Sequence, residues 1–230
     1  MNIKKNYLIN RNSALQRSSD IRFTYFAKKE LMTFEKIARL SRIKEDFDWN
    51  KKKILDYGAG DQFLKNVLVD KGAVYNPIDH DIVDFNCQKL PFKSNFFDVI
   101  ISLAVIEHIE NIDNFVGEAL RVLKPGGIFY LSTPNFRFCY KSFYNDPTHV
   151  RPFTETTLYN TLKFSCFENV AVFPGARNKS DWFYKGKYKF IKCACLPFKN
   201  EKWYLPKFLT GKATSVIGIC NKPLNWLFEN

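Results

Sequence analysis

The stretch Ile54-Leu55-Asp56-Tyr57-Gly58-Ala59-Gly60-Asp61 restricts the fold more than any other part of the chain. Three lysines (Lys51, Lys52, Lys53) precede an apolar run of strand length. The run ends at Asp56 and opens into Gly58-Ala59-Gly60, and residues 62–69 then carry helical spacing. Strand, glycine turn and helix begin a βαβ nucleotide-binding unit. The glycines let backbone approach a ligand closely, and the helix N-terminus presents unpaired amide N–H groups. Neither the Gly-x-Gly-x-x-Gly of a dinucleotide site nor the Gly-Lys-Ser/Thr of a P-loop is present. Standing alone, the stretch would also suit a tight turn in any α/β protein.

The 230 residues are enough for one domain with a sizeable core. A formal charge of +12 favours acidic partners such as phosphates, nucleotides, nucleic acid or an anionic membrane surface; equally, it describes a lysine-rich solvated face. The cysteines (Cys87, Cys139, Cys166, Cys193, Cys195, Cys220) are scattered, and the spacing of Cys193 and Cys195 fits neither a zinc knuckle nor a redox pair. They are expected to be free thiols in a reducing cytoplasm. The N-terminus is too polar for a signal peptide, and no apolar run approaches the ~20 residues of a membrane span. A soluble, cytoplasmic protein is expected, with peripheral membrane contact as something its charge would allow.

Along the chain, residues 1–19 read as a loose polar arm. From the N-cap candidate Asp20, apolar residues Phe23, Phe26, Ala27, Leu31, Phe34, Ile37 and Ala38 predict an amphipathic helix to Leu40. Residues 41–50 read as polar linker. A second strand, residues 73–79, ends in Asp79, about 20 residues past the glycine turn, where a carboxylate can accept both hydroxyls of a ribose; otherwise Asp79 is an exposed strand end. Residues 82–86 suggest a short third strand, 99–103 a strand buried on both faces, 113–123 a helix ended by Pro125-Gly126-Gly127, and 128–132 a fifth strand. A helix from Thr154 or Glu155 to Lys163, a strand near 168–173 and a last strand at 213–220 follow. The alternation predicts an α/β, Rossmann-like, doubly wound sheet of seven strands. It would be mostly parallel, with an antiparallel edge strand and helices on both faces. The expected organisation is one domain: an arm and cap helix (1–50), a cofactor core (51–135) and an acceptor-side half (136–230) containing a basic, aromatic excursion (174–212).

Five pieces stand in a telling order: Ile54-Leu55-Asp56-Tyr57-Gly58-Ala59-Gly60; Ile78-Asp79; Leu90-Pro91-Phe92 followed by Phe97-Asp98-Val99-Ile100; Glu107-His108; and Leu120-Arg121-Val122-Leu123-Lys124-Pro125-Gly126-Gly127. Across roughly residues 50–135 the chain therefore resembles the class I S-adenosylmethionine (SAM)-dependent methyltransferases. The likeness is greatest to the small-molecule group that includes ubiquinone-biosynthesis and sugar O-methyltransferases. The resemblance implies SAM as cofactor and S-adenosyl-L-homocysteine as product. It implies that Asp56, Gly58, Ala59 and Gly60 shape the pocket for the methionine half, and that Asp79, with His80 beside it, holds the ribose. Asn86 stands where relatives have an Asp facing the adenine amino group, with Cys87 offering its backbone. Ser102 and Leu103 end a strand under the sulfonium, and Arg22 and Tyr25 lie on a helix that caps the cofactor. Gln62 replaces the loop's usual third glycine. The ubiquinone-biosynthesis subgroup carries a further Glu, linked to metal binding, three residues before its Glu-His pair; Ala104 stands there, so no metal is expected.

Methyl transfer from a sulfonium is an in-line displacement, and the protein aligns the reactants and takes a proton from a hydroxyl nucleophile. A neutral imidazole is the natural base. His80 reads as a loop residue near the ribose. His108, on the rim after a strand, is either a structural group at a helix start or a reserve base. His149 lies in Asp146-Pro147-Thr148-His149-Val150-Arg151-Pro152-Phe153-Thr154, which resembles the segment that faces the acceptor in sugar-modifying relatives. There Asp146 can orient His149 as base, and Arg151 can hold a phosphate or carboxylate; otherwise the stretch is a polar turn fixed by two prolines. Glu107 and Asn135 complete the expected acceptor contacts. The expected function is O-methylation of a small acceptor, a sugar that is nucleotide-activated or glycan-linked. The alternatives are N-methylation of a small amine, SAM binding without catalysis, and a basic RNA-binding or RNA-modifying protein. Absence of an Asn/Asp-Pro-Pro-Tyr/Phe tetrad counts against RNA modification, and no nucleic-acid partner is expected.

Overall fold

A computed structural model describes residues 21–175, 177–178 and 212–226. The arm at 1–19, most of the excursion at 174–212, Cys193, Cys195 and the Arg22 side chain lie outside the described atoms.

Alternating strand side chains divide between two faces, and each face is covered by helices. On one side Ile54, Val99, Ile101, Ile128, Tyr130, Ile217 and Ile219 meet the apolar stripe of α1 (Ile21–Leu40) and the buried Val67 and Leu68 of α2 (Lys65–Asp70). On the other, Leu55, Tyr57, Ile100, Phe129, Leu131, Val216 and Cys220 pack with Phe115, Val116 and Ala119 of α3 (Ile112–Val122). Two covered faces are what a mainly parallel sheet requires. The sheet has six strands: β1 (Lys53–Tyr57), β2 (Val74–Ile78), β3 (Phe97–Leu103), β4 (Leu123–Pro134), β5 (Glu168–Pro174) and β8 (Ser215–Asn221), in the order β2-β1-β3-β4-β8-β5. β2, β1, β3 and β4 run parallel; β8 is antiparallel to both β4 and β5. A short α4 (Phe136–Cys139) and α5 (Glu155–Phe164) precede β5, and β6 (Arg177–Asn178) pairs with β7 (Lys212–Ala213) as a separate ribbon.

The doubly wound α/β architecture is as expected, with differences. Among the described residues the main sheet has six strands, and its antiparallel strand, β8, lies inside the sheet rather than at its edge. The third strand expected at 82–86 is a series of turns. The Asp79 carbonyl accepts the N–H groups of Ile82 and Val83, the Asp84 carbonyl accepts those of Cys87 and Gln88, and the Asp84 side chain accepts Asn86 N at 2.9 Å. Aspartate-capped turns outcompete the ladder there. Pro125-Gly126-Gly127 sits within β4, because α3 already ends at Val122. The supposed linker 41–50 carries a core anchor: Trp49 is buried, its ring 4.9 Å from that of Phe34, and its Nε1 donates to Glu35 at 2.6 Å.

Candidate active site

Strand order reverses between β1 and β3, and in doubly wound sheets ligands sit beyond the C-terminal strand ends at such a reversal. The β1 loop is held by backbone. Gly58 N and Ala59 N both donate to the Ile78 carbonyl at the end of β2, at 2.9 and 3.0 Å. Gly58 has φ +89°, and a Cβ there would collide with Val105 Cγ2 of the β3 loop, so only glycine lets the two loops meet. Gly60 N donates to Asp79 Oδ2 and His80 N to Asp79 Oδ1, each at 2.7 Å; one carboxylate thus ties the β1 turn to the β2 loop. Gln62 keeps the left-handed conformation, φ +51°, that a third glycine would adopt. Asp56 is buried and accepts from Tyr75 Oη at 2.6 Å. Burial pushes its carboxyl up to about 7, against the Tyr75 hydrogen bond and with Asp79 adding to the rise. Ser102 Oγ donates to the Tyr57 carbonyl at 2.8 Å, fixing β3 to β1, and Leu103 is half-buried beside it.

Two residues expected at this end are placed differently. Asn86 Oδ1 accepts Glu110 N and Asn111 N, at 2.9 and 3.1 Å, so its amide oxygen secures the start of α3. Tyr25 is 64% exposed on α1, its ring edge-on to Phe26. α1 itself is a structural layer, tied down where Tyr130 Oη donates to Glu30 at 2.6 Å. Cys87 is exposed, and His80 lies 3.8 Å from Asp84.

The β3 loop is built from side chains. Glu107, 1% exposed, accepts from Thr133 Oγ1 of β4 at 2.9 Å through Oε2, while among the described residues Oε1 has no hydrogen-bond partner. Burial lifts its carboxyl to about 7, Asp146 adding to the rise and hydrogen bonds opposing it. The Glu107 carbonyl accepts Val150 N and Arg151 N, at 2.9 and 3.0 Å, which brings the distant segment 146–154 against the β3 loop. His149 Nδ1 lies 2.7 Å from the Phe143 carbonyl, and His108 Nδ1 lies 3.1 Å from the Thr148 carbonyl and 2.9 Å from Thr148 Oγ1. Carbonyls only accept, so each neutral ring carries its hydrogen on Nδ1 and its lone pair on Nε2. The two rings are 4.8 Å apart, and one ligand atom from each of Glu107, His108 and His149 lies within 4.8 Å of the others. Phe136, Phe143 and Tyr144 form an aromatic wall, Phe143 standing 4.5 Å from the His149 ring.

Two expected roles need correction. Asp146 does not orient His149: its Oδ2 is 4.0 Å from Nε2, and Phe143 holds the ring. Its Oδ1 accepts from Thr148 N and Oγ1, at 2.9 and 2.6 Å, so it supports His108 through Thr148. Burial works against ionisation there, yet these bonds and both histidines hold the Asp146 carboxyl below its usual range. Asn135 is fully buried as the N-cap of α4, its amide donating to Glu155 at 2.8 Å and its oxygen accepting Arg137 N at 3.2 Å, so it faces no acceptor. Arg151 is exposed and donates to the Glu110 carbonyl at 3.1 Å. Thr133, Thr148 and the aromatic wall escaped the sequence reading; only the density of Phe and Tyr in residues 136–144 hinted at the wall.

Residues 55–131 match a family model described as a methyltransferase domain. A relative from Mycolicibacterium smegmatis, described as a probable S-adenosylmethionine-dependent methyltransferase, is 29% identical over 146 residues, 54% of this chain and 56% of its own. The ubiquinone biosynthesis O-methyltransferase of Rickettsia typhi is 29% identical over 150 residues, 47% of this chain and 61% of its own. The chain thus spans a little over half the length of these curated relatives. In fold it is similar to a crystal structure of a SAM dependent methyltransferase from Archaeoglobus fulgidus, with TM-score 0.55 and 20% identity over 88% of this chain and all of that one. Among the described residues no helix is long and apolar enough to cross a membrane.

Proposed function

We propose that this chain, which belongs to the class I SAM-dependent methyltransferases, transfers the methyl group of SAM to a hydroxyl of a small acceptor and releases S-adenosylhomocysteine. The observation that carries the reading is that the backbone-held turn after β1 and the loop after β3, which carries Glu107 and His108 and gathers His149, meet where Val105 lies against Gly58.

In this reading Asp56 and Gly58 to Gly60 line the methionine half of SAM. Asp79 takes the ribose: each of its oxygens already accepts one backbone N–H and keeps a second lone pair for a hydroxyl. Asn86 is spent on α3, which leaves the adenine amino group to loop backbone around Cys87. The acceptor lies between the aromatic wall and the histidines. Its oxygen attacks the methyl carbon in line, the S–CH3 bond breaks with its electron pair going to sulfur, and the hydroxyl proton passes to His149 Nε2. The Phe143 carbonyl, accepting from Nδ1–H, leaves the lone pair of the neutral ring on Nε2 and fixes the ring's orientation.

A sugar remains the proposed acceptor, on the likeness of residues 146–154 to sugar-modifying relatives and on the basic charge, with Arg151 available for a phosphate. A phenolic hydroxyl is the second reading, favoured by the rings of Phe136, Phe143 and Tyr144 and by the ubiquinone-biosynthesis relative. A screen with methyl-labelled SAM over nucleotide sugars, polyols, phenols and amines separates them. Label on oxygen supports the proposal, and label on nitrogen alone overturns it. Calorimetry should show SAM binding, weakened at least tenfold by Asp79→Ala; no binding to the wild type removes the basis of the assignment.

A further inference from the structure

We propose that Asn86 leaves the amino group of adenine unread, so that this chain also binds a cofactor whose base carries a keto oxygen in place of that amino group. This rests on the reading of Asp79 as the ribose ligand, which lays the base over the turns at 80–88.

An amino group on a purine donates, and only an acceptor with an unused lone pair can read it. The oxygen of Asn86 has none to spare. Its Oδ1 accepts Glu110 N at 2.9 Å and Asn111 N at 3.1 Å, one for each lone pair. Backbone N–H groups only donate, so these two contacts also fix which end of the amide is oxygen. The other end, Nδ2, donates to Asp84 Oδ1 at 3.1 Å, an oxygen that accepts Asn86 N as well, at 2.9 Å. What this side chain still has for a ligand is therefore N–H, which suits a keto oxygen and not an amino group. Turning the amide over would free its oxygen, but it would set NH2 against the two N–H groups that start α3 and oxygen against the Asp84 carboxylate.

Neighbouring groups are used in the same way. Cys87 N and Gln88 N both donate to the Asp84 carbonyl, at 3.2 and 2.9 Å, and Gln88 Oε1 accepts Asp84 N at 2.7 Å. Asn114 Nδ2 of α3 reaches the carbonyls of Phe85 and Gln88, at 2.9 and 3.2 Å. The turns are thus closed on themselves and on α3 without help from a ligand. Backbone carbonyl around Cys87 can still take an amino N–H, but Cys87 is exposed, and water replaces such a contact at little cost. The faces of the ring remain to be held, and adenine and hypoxanthine present those alike.

The test is calorimetry on the full chain with S-adenosylhomocysteine and with S-inosylhomocysteine, its deaminated counterpart, in which the C6 oxygen accepts and N1–H donates. Affinities within about tenfold of each other are expected, against the discrimination of about 10⁴-fold or more imposed by a site built to hydrogen-bond a ligand N–H. A larger preference than tenfold for the adenine form overturns the inference. Asn86→Ala should keep the wild-type ratio of the two affinities while lowering Tm, because α3 loses the oxygen that secures its start. A ratio that falls in Asn86→Ala would show that this side chain reads the base, and would overturn the inference too. Should the variant not fold, the wild-type ratio decides by itself. Tight binding of the adenine form alone refutes only this inference, whereas binding of neither ligand refutes the methyltransferase reading on which it rests.

Discussion

At the β1 end the shape is set by backbone: the turn Gly58 to Gly60, whose N–H groups are taken up by the Ile78 carbonyl and the Asp79 carboxylate. At the β3 end it is set by side chains: Glu107, His108 and His149, gathered from two segments and held by Thr133, Thr148 and the Phe143 carbonyl. A backbone-made subsite serves a constant ligand, since its shape depends on dihedral angles that few substitutions preserve. A side-chain subsite can be re-equipped residue by residue while the fold stays the same, which is how one scaffold serves many acceptors. Mutation should therefore act differently at the two ends.

The largest effect belongs to the side-chain end. His149→Ala should lower kcat by about 10²–10⁴-fold, the usual worth of a positioned base, while SAM affinity changes less than twofold. Calorimetry beside steady-state kinetics checks this. Parallel losses in kcat and SAM affinity would mean the two ends are one unit, and the contrast would fail.

Next comes Gly58→Ala. The added methyl collides with Val105 Cγ2 and the substitution forces an L-residue to φ +89°. Together these should cost about 2–4 kcal/mol of stability and abolish SAM binding. Val105→Ala removes the clash but not the dihedral strain, so the double variant should recover part of the stability, as chemical denaturation would show. Full recovery would mean that backbone conformation matters little at this turn.

These two ends also differ in how far the sequence disclosed them. Everything at the β1 end is local, so Asp56, Gly58 and Gly60 could be located from spacing, and Asp79 from its distance to the turn. Helices and strands with clear periodicity, α1, β3 and β8 among them, were legible for the same reason. The β3 end depends on tertiary contacts: nothing near His149 in the chain announces that the Phe143 carbonyl, rather than Asp146, would hold it. Asn86 and Asn135 misled because an amide that caps a helix and one that meets a ligand have the same letter. The expected third strand failed because its alternation was outweighed by Asp79 and Asp84, whose turns are short-range and strong.

pH separates the ends further. Asp56 has its folded-state carboxyl raised to about 7 against an ordinary 3.8, so between those values the native state holds a proton that the unfolded chain has lost. Its contribution to stability is fully present below about pH 4 and is lost as pH rises through about 7. The SAM ammonium favours the ionised form, so SAM affinity should run the other way, rising about tenfold per unit up to pH 7 and then levelling. Asp56→Asn should flatten both slopes. Measuring melting temperature and calorimetric affinity from pH 5.5 to about 8.5 tests this; a SAM slope unchanged in Asp56→Asn would move the titrating group elsewhere, with Glu107 the other carboxyl lifted to about 7.

The smallest effect sharpens what backbone-made means. Gln62 stands at φ +51°, donates its N–H to the Ala59 carbonyl at 2.8 Å and accepts Lys65 N at 3.0 Å, so its main chain closes the turn before α2. An L-residue in this region costs about 1–2 kcal/mol, while glycine returns about 0.5–1 kcal/mol of that through its greater freedom in the unfolded chain. Gln62→Gly should therefore stabilise the protein by about 0.5 kcal/mol, roughly 1–2 °C in Tm for a chain of this size, with SAM affinity unchanged within twofold. Differential scanning calorimetry can read that shift. A destabilised Gln62→Gly variant with weaker SAM binding would show that the amide side chain itself serves the cofactor, and the β1 end would then share the side-chain character of the β3 end.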